Sequence, residues 1–139
     1  NAFKFAKPKI KNLDFSFSGL KTSIMNLINN EKSKNSNFIS ENLEDLCASI
    51  QHSIVNILLE KIKLASLNTG IKNIAIAGGV SANSYLRDQL LKLNSFNVYI
   101  PKFEYCTDNA AMIAVAGYYK FLNKELGNLK ETSSARLNF

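Results

Sequence analysis

The chain has no tryptophan, one histidine, two prolines and two cysteines among its 139 residues. Cys47 and Cys106 form no C-x-x-C spacing, so neither a zinc site nor a disulfide is indicated, and two reduced thiols are expected. No apolar run approaches the roughly 20 residues that a membrane span needs. No signal-peptide pattern opens the chain. We therefore expect a soluble, cytoplasmic protein with no membrane partner.

The composition is that of a globular domain, with 46% hydrophobic and 20% charged residues. The length fits one domain or one lobe of a larger protein. The net charge of +6, mostly from lysine, is compatible with an anionic partner such as RNA. Many basic surfaces are merely solvated, so charge alone leaves RNA binding open.

The first 17 residues alternate apolar and polar positions in two stretches, Ala2–Phe5 and Leu13–Phe17. This alternation predicts a hairpin with a long basic loop. Its lysines are available for phosphate contacts, although a solvated loop is the better explanation for them. These are Lys4, Lys7, Lys9 and Lys11.

Helical periodicity begins at Ser18, and the pattern predicts a helix that ends near Asn29-Asn30, followed by a polar loop over 31–37. A longer core helix is predicted from Ser40 to the stop signal at Gly70. His52 on this helix has no second histidine or carboxylate at i+4, so packing explains it better than metal binding or catalysis. The apolar stripe of the long helix consists of Leu43, Leu46, Cys47, Ile50, Ile54, Ile57, Leu58 and Ile62.

The central stretch Ile74–Arg87 joins an apolar run, a glycine pair and a helical pattern. Ile74–Ala77 predicts a buried strand, and Gly78-Gly79 allows a sharp turn and close ligand approach because no Cβ is present. Ser81 occupies the expected N-cap position of the next helix. A strand, a glycine pair and a helix N-terminus form a site for a phosphate or ribose. A purely structural turn explains the pattern about as well.

The last third predicts a second strand, Val98–Ile100, and then a helix from Ala110 that is apolar nearly all round. Such a helix is expected to be buried on several sides. Two strands make a marginal sheet, so we expect further strands upstream of this sequence. The tail from Gly127 has no periodicity and is expected to be loosely held.

Three motifs, taken together, identify a family. They are D-F-S-F-S-G-L-K-T (Asp14–Thr22), A-G-G-V-S-A-N-x-x-L-R (Ala77–Arg87) and C-T-D-N-A-A-M-I-A-x-A-G (Cys106–Gly117). In this order they closely resemble the C-terminal part of the TsaD family, which forms threonylcarbamoyladenosine in tRNA and was once described as O-sialoglycoprotein endopeptidase, peptidase family M22. The resemblance implies an α/β fold of the actin-like, Hsp70 and sugar-kinase type (ASKHA, ribonuclease H-like), helix-rich with a small sheet. Residues 1–139 would then belong to the C-terminal lobe of a two-lobed enzyme whose N-terminal lobe is absent here.

The resemblance also implies roles for individual residues. Gly78 and Gly79 would face the nucleotide, and Asn83 would contact threonylcarbamoyl-adenylate. Asp108 would be one ligand of a single divalent metal, iron or zinc, completed by two histidines of an H-x-x-x-H motif outside this sequence. The alternative is that Asp108 caps the last helix, worth ~0.3–1 kcal/mol. No role is assigned to Arg87 or Asp88, and no catalytic residue is identified.

The implied function is transfer of the threonylcarbamoyl group from its adenylate to N6 of the anticodon-adjacent adenosine in tRNAs that read codons beginning with A. The implied partners are tRNA and proteins of the TsaB and TsaE types, and the fragment alone is expected to be inactive. One alternative is a metal-dependent glycoprotease, although the sequence contains no H-E-x-x-H. Another is a non-catalytic ASKHA nucleotide-binding scaffold.

Overall fold

A computed structural model describes residues 2–7, 10–130 and 132. Within these residues the chain is α/β, helix-rich with a small sheet, as the sequence predicts. In this described part no helix is both long and apolar enough to cross a membrane. The elements are α1 (Ser18–Lys34), α2 (Phe38–Glu41), α3 (Leu43–Thr69), β1 (Asn73–Ala75), α4 (Ser84–Leu91), β2 (Asn97–Tyr99) and α5 (Ala110–Leu122), with 3-10 turns at Gly79–Ala82 and Phe103–Tyr105.

The predicted hairpin at the N-terminus is wrong, because residues 2–7 and 10–17 contain no strand. The backbone N–H of Phe3 donates to Ser49 Oγ at 3.1 Å, and that of Ala6 donates to Ser23 Oγ at 2.9 Å. The Phe3 ring also packs edge-on against Phe38, with 5.7 Å between ring centroids. The alternating pattern therefore belongs to a segment that packs against helices. Serine hydroxyls on these helices accept the backbone hydrogen bonds that a partner strand would accept in a hairpin.

The basic segment and the tail are described in part. Lys7 forms an exposed ion pair with Glu60, while Lys4 and Lys11 are exposed. Lys9 lies outside the described residues, as do 131 and 133–139 of the tail. The phosphate contacts therefore stay a prediction.

Helix α1 continues to Lys34, four residues beyond the predicted end at Asn30. A Lys34–Glu31 contact of 2.7 Å supports this last turn, which is polar and so gives no periodic signal. Helix α3 ends where predicted, at Gly70, which adopts φ +73° and donates its N–H to Ser66 O at 2.8 Å.

The core lies between α3 and α4. Val55 and Leu59 of α3 pack against Leu86 and Leu90 of α4, and Leu90 is completely buried. The two strands pair in parallel, with Ile74 opposite Val98 in the register, and α4 provides the crossover between them. Partly buried hydrophobic residues surround this cluster: Leu58, Ile62, Ile76, Tyr85, Leu93 and Val98.

The sheet and α5 are more open than the sequence predicts. In β1, Ile74 is half-buried and its neighbours Asn73 and Ala75 are exposed. Every residue of α5 is exposed, including Ile113 at 73% and Phe121 at 68%. The prediction that this helix is buried on several sides is therefore wrong for the described residues. An apolar pattern indicates that a helix packs against other protein, but it does not show which part of the protein that is.

Candidate functional site

The glycine turn after β1 is open to solvent. Gly78 adopts φ +73° and ψ 179°, a conformation that is essentially restricted to glycine. Gly79 has no positive φ and begins the 3-10 turn. A Cβ at either position would have no atom within 4 Å. The backbone therefore requires glycine at Gly78 but not at Gly79, and a ligand has room to approach both.

The N-cap of α4 is Asn83, and the prediction that Ser81 caps this helix is wrong. Asn83 lies outside the helix at φ −67° and ψ 115°, and its Oδ1 accepts from the N–H of Leu86 at 2.8 Å. Ser81 is buried in the intervening 3-10 turn, where its Oγ donates to Gly78 O at 2.7 Å. The 3-10 turn, which begins at Gly79, lies between Gly78 and the helix, so the cap lies two residues later than the pattern suggests.

Asn83 also contacts α3. Its Nδ2 donates to Gln51 Oε1 at 3.0 Å, so the side chain already uses both ends of its amide. One further hydrogen on Nδ2 and one further lone pair on Oδ1 remain available for a ligand. Asn83 is half-buried, and these remaining groups allow its side chain to form hydrogen bonds with a ligand.

Beside this turn lies a cavity of about 280 Å³ between α3 and the start of α4. Its walls are mainly aliphatic, and the amides of Gln51 and Asn83 supply the polar groups. Cys47, which the sequence assigns to packing, is exposed here. The apolar stripe of α3 is therefore wider than α4 can cover. The lining residues are Cys47, Ile50, Gln51, Ile54, Val55, Leu58, Val80, Asn83 and Leu86.

Asp108 does not cap α5. The cap is Asn109, whose Oδ1 accepts from the N–H of Met112 at 3.0 Å and whose Nδ2 donates to Thr107 O at 2.8 Å. The Asp108 carboxylate is exposed and has no hydrogen-bond or ion-pair partner among the described residues. The hydrogen-bonding cap of α5 is therefore Asn109, and Asp108, one residue before it, can act on this helix only through the helix dipole. The metal role of Asp108 stays a prediction.

The described residues do not form a complete metal site. Within 2–7, 10–130 and 132, no group of three or more His, Cys, Asp or Glu side chains could hold an ion. A free carboxylate such as that of Asp108 fits iron or zinc as one member of a larger ligand set. The remaining ligands would have to come from elsewhere in the protein.

Arg87 is the residue that the sequence interpretation missed. Its Nε donates to Ser81 O at 2.6 Å, and its Nη2 donates to Pro101 O at 2.7 Å and to Cys106 Sγ at 3.0 Å. The guanidinium also lies 4.1 Å from the centre of the Phe103 ring. Arg87 therefore connects the glycine turn to the segment before Asp108. A half-buried arginine on a helix face gives no local pattern, and its place in the A-G-G-V-S-A-N-x-x-L-R motif was the available signal.

His52 has both ring nitrogens engaged. Nδ1 lies 2.7 Å from the Tyr85 hydroxyl, and Nε2 lies 2.7 Å from the Asn56 amide nitrogen. The Tyr85 contact joins α3 to α4 and the Asn56 contact lies within α3, consistent with the packing role that the sequence favours.

Sequence comparison places this chain among known proteins. A family profile described as "TsaD: tRNA N6-adenosine threonylcarbamoyltransferase" matches residues 1–115. Proteins named tRNA N6-adenosine threonylcarbamoyltransferase from Riemerella anatipestifer and Christiangramia forsetii are 53% and 48% identical over 98% and 99% of this chain. A protein of the same name from Thermodesulfovibrio yellowstonii is 47% identical over 91% of the chain.

These relatives are much longer than the present chain. The matched region spans 41%, 42% and 39% of their respective lengths. The match nevertheless covers most of this chain and includes all of the glycine turn, Arg87 and Asp108. The resemblance that the three motifs indicate is thus confirmed, and the chain belongs to the TsaD family.

Proposed function

We propose that this chain is part of an enzyme that transfers the threonylcarbamoyl group from threonylcarbamoyl-adenylate to N6 of the anticodon-adjacent adenosine of tRNAs reading A-starting codons. The observation that carries this proposal is the family match over residues 1–115, whose relatives are named for that reaction. Because the chain spans about two fifths of their length, the activity is assigned to the complete protein. Residues 1–139 alone are expected to be inactive.

We place residues 1–139 in the C-terminal lobe of a two-lobed ASKHA-type enzyme. Two features support this placement. Among the described residues, the two-stranded sheet has an exposed face at β1, and no other element covers the apolar surface of α5. Both features are what an element that packs against more protein would show.

The nucleotide end of the adenylate would lie against the glycine turn. Gly78 and Gly79 let a phosphate or ribose approach the backbone, and the adjacent cavity suits a flat heterocycle because its walls are aliphatic and its polar groups are amides. Asn83 would orient the ligand through the remaining hydrogen of Nδ2. This chain therefore contributes binding and orientation.

We propose that Asp108 is a ligand of one divalent metal, iron or zinc, whose other ligands lie outside these residues. Its free carboxylate supports this role. When bound, such a metal supplies positive charge that polarises the carbamoyl carbonyl or stabilises the leaving phosphate. The chain's own task is to hold that carboxylate at a fixed place relative to the glycine turn.

The partners that follow from this proposal are tRNA and proteins of the TsaB and TsaE types. The net charge of +6 supports contact with the tRNA backbone. The exposed surface of α5 is a suitable place for another protein or another part of the same protein.

The deciding experiment uses the complete protein, threonylcarbamoyl-adenylate and a tRNA transcript, with nucleoside mass spectrometry as the assay. The proposal expects threonylcarbamoyladenosine at the anticodon-adjacent position and none in a transcript with guanosine there. Adenylate binding without product, with the partner proteins present, would instead indicate a nucleotide-binding scaffold. Cleavage of a sialoglycoprotein without tRNA modification would indicate the glycoprotease.

A further inference from the structure

Among the described residues, the segment that carries Asp108 makes few hydrogen bonds to the chain before it. Residues 101–108 follow β2 and consist of a 3-10 turn and irregular backbone. Most of their hydrogen bonds stay within the segment, such as Tyr105 N–H to Lys102 O and Cys106 N–H to Phe103 O. Among the described residues, every hydrogen bond from this segment to the chain before it comes from the guanidinium of Arg87.

We infer that Arg87 is a positioning residue that holds the Asp108 segment at a fixed place relative to the glycine turn. One face of its guanidinium packs on Phe103, and its edge donates to Pro101 O and Cys106 Sγ on one side and to Ser81 O on the other. A planar group with several donors in fixed directions can satisfy all of these partners at once. The inference rests on the proposed function only for the role of Asp108.

Arg87 is itself held in place by the core. It lies on α4 between Leu86, which is 4% exposed, and Leu90, which is fully buried. The core therefore fixes the helix that carries Arg87. The hydrogen bonds that the guanidinium donates then hold residues 101–108 against this helix. Charge-assisted bonds and a cation–π contact are among the stronger polar interactions available to a half-buried side chain.

The test uses the thiol of Cys106, which is 1% exposed and lies directly on the guanidinium. If Arg87 holds the segment, Arg87→Gln in the complete protein should speed alkylation of Cys106 by iodoacetamide at least about tenfold, measured by peptide mass spectrometry. Tenfold corresponds to a shift of about 1.4 kcal/mol in the local opening equilibrium. Arg87→Lys keeps the charge but lacks the planar guanidinium and its several fixed donors, so it should also speed alkylation of Cys106.

The matched control is Asp88→Asn, which changes charge at the adjacent, exposed position on the same helix. It should leave the alkylation rate unchanged. A second variant, Phe103→Leu, removes the ring beneath the guanidinium but keeps all three hydrogen bonds, so it should give an intermediate rate. Phe103→Leu also keeps the inference testable if Arg87→Gln does not fold.

Metal content and steady-state kinetics separate this inference from the proposed function. If both hold, Arg87→Gln and Arg87→Lys lose metal and kcat severalfold while KM for the adenylate changes less. Faster Cys106 alkylation with normal metal content and activity would support the positioning role and overturn the metal role of Asp108. Unchanged alkylation in Arg87→Lys and in Phe103→Leu would overturn the inference whatever the enzyme does.

Discussion

Asp108 and Asn109 are neighbours, and only Asn109 caps α5 with its side chain. Asn109 caps α5, so Asn109→Ala should destabilise the first turn by about 1 kcal/mol, within a range of about 0.5–2 kcal/mol. Asp108 makes no described contact, so Asp108→Asn should remove only its interaction with the helix dipole. That interaction is worth ~0.3–1 kcal/mol at most and is reduced further by salt.

Metal binding should be affected in the opposite order, more by substitution of Asp108 than by substitution of Asn109. In the complete protein, Asp108→Asn should lose most bound iron or zinc and most tRNA modification, because a neutral amide is a poor ligand. Asn109→Ser keeps a good cap and should retain both, which makes it the matched control. Elemental analysis and nucleoside mass spectrometry measure the two quantities.

Helix stability is best measured locally and without metal. Bound metal stabilises the folded state by mass action, so metal loss alone would resemble a capping defect. Amide hydrogen exchange of α5 in chelator-treated protein avoids this, and about 1 kcal/mol corresponds to roughly fivefold faster exchange in its first turn. The reasoning is refuted if Asp108→Asn keeps full metal and activity, or if it loosens α5 as much as Asn109→Ala does.

Three further predictions concern the rest of the site. Gly78→Ala should lower the free energy of unfolding by about 1–3 kcal/mol because residue 78 has a positive φ. Gly79→Val should leave the melting temperature near normal and weaken adenylate binding. Unchanged binding of the adenylate to the Gly79 variant in calorimetry would argue against the nucleotide role. Asn83→Asp should preserve the cap of α4 but weaken binding of the anionic adenylate, and equal affinity for the two proteins would remove Asn83 from the site. Residues 1–139 alone should self-associate through uncovered apolar surface, and Ile113→Lys with Phe121→Lys should reduce this in light scattering; a monodisperse monomer at high concentration would contradict it.

Sequence patterns predicted those features that depend on a few adjacent residues. The stop at Gly70 and the strand–glycine–helix order at Gly78 depend on backbone conformations that few residues can adopt. The N-terminal alternation failed because Phe3 is paired with Ser49, which lies 46 positions away, and no period encodes such a partner. The cap at Ser81 failed because a 3-10 turn adds residues before the helix without changing the apolar pattern.

The site shows the same division. Residue type and motif predicted Gly78, Gly79 and Asp108 as site residues, and the structure leaves all three exposed, so their roles stay predictions. Arg87 was missed because its partners, Pro101 and Cys106, lie 14 and 19 positions further along the chain. Its contacts depend on which segments the fold brings together, and no local pattern in the sequence specifies them.

The two halves of the site are held in place by different means. The glycine turn leads directly into α4, which the core residues Val55 and Leu90 fix against α3. The Asp108 segment leads into α5, which the described residues leave exposed, and its hydrogen bonds to the chain before it come from Arg87. Metal binding at Asp108 should therefore be the more sensitive to loss of the rest of the protein, and nucleotide contact at Gly79 the less sensitive.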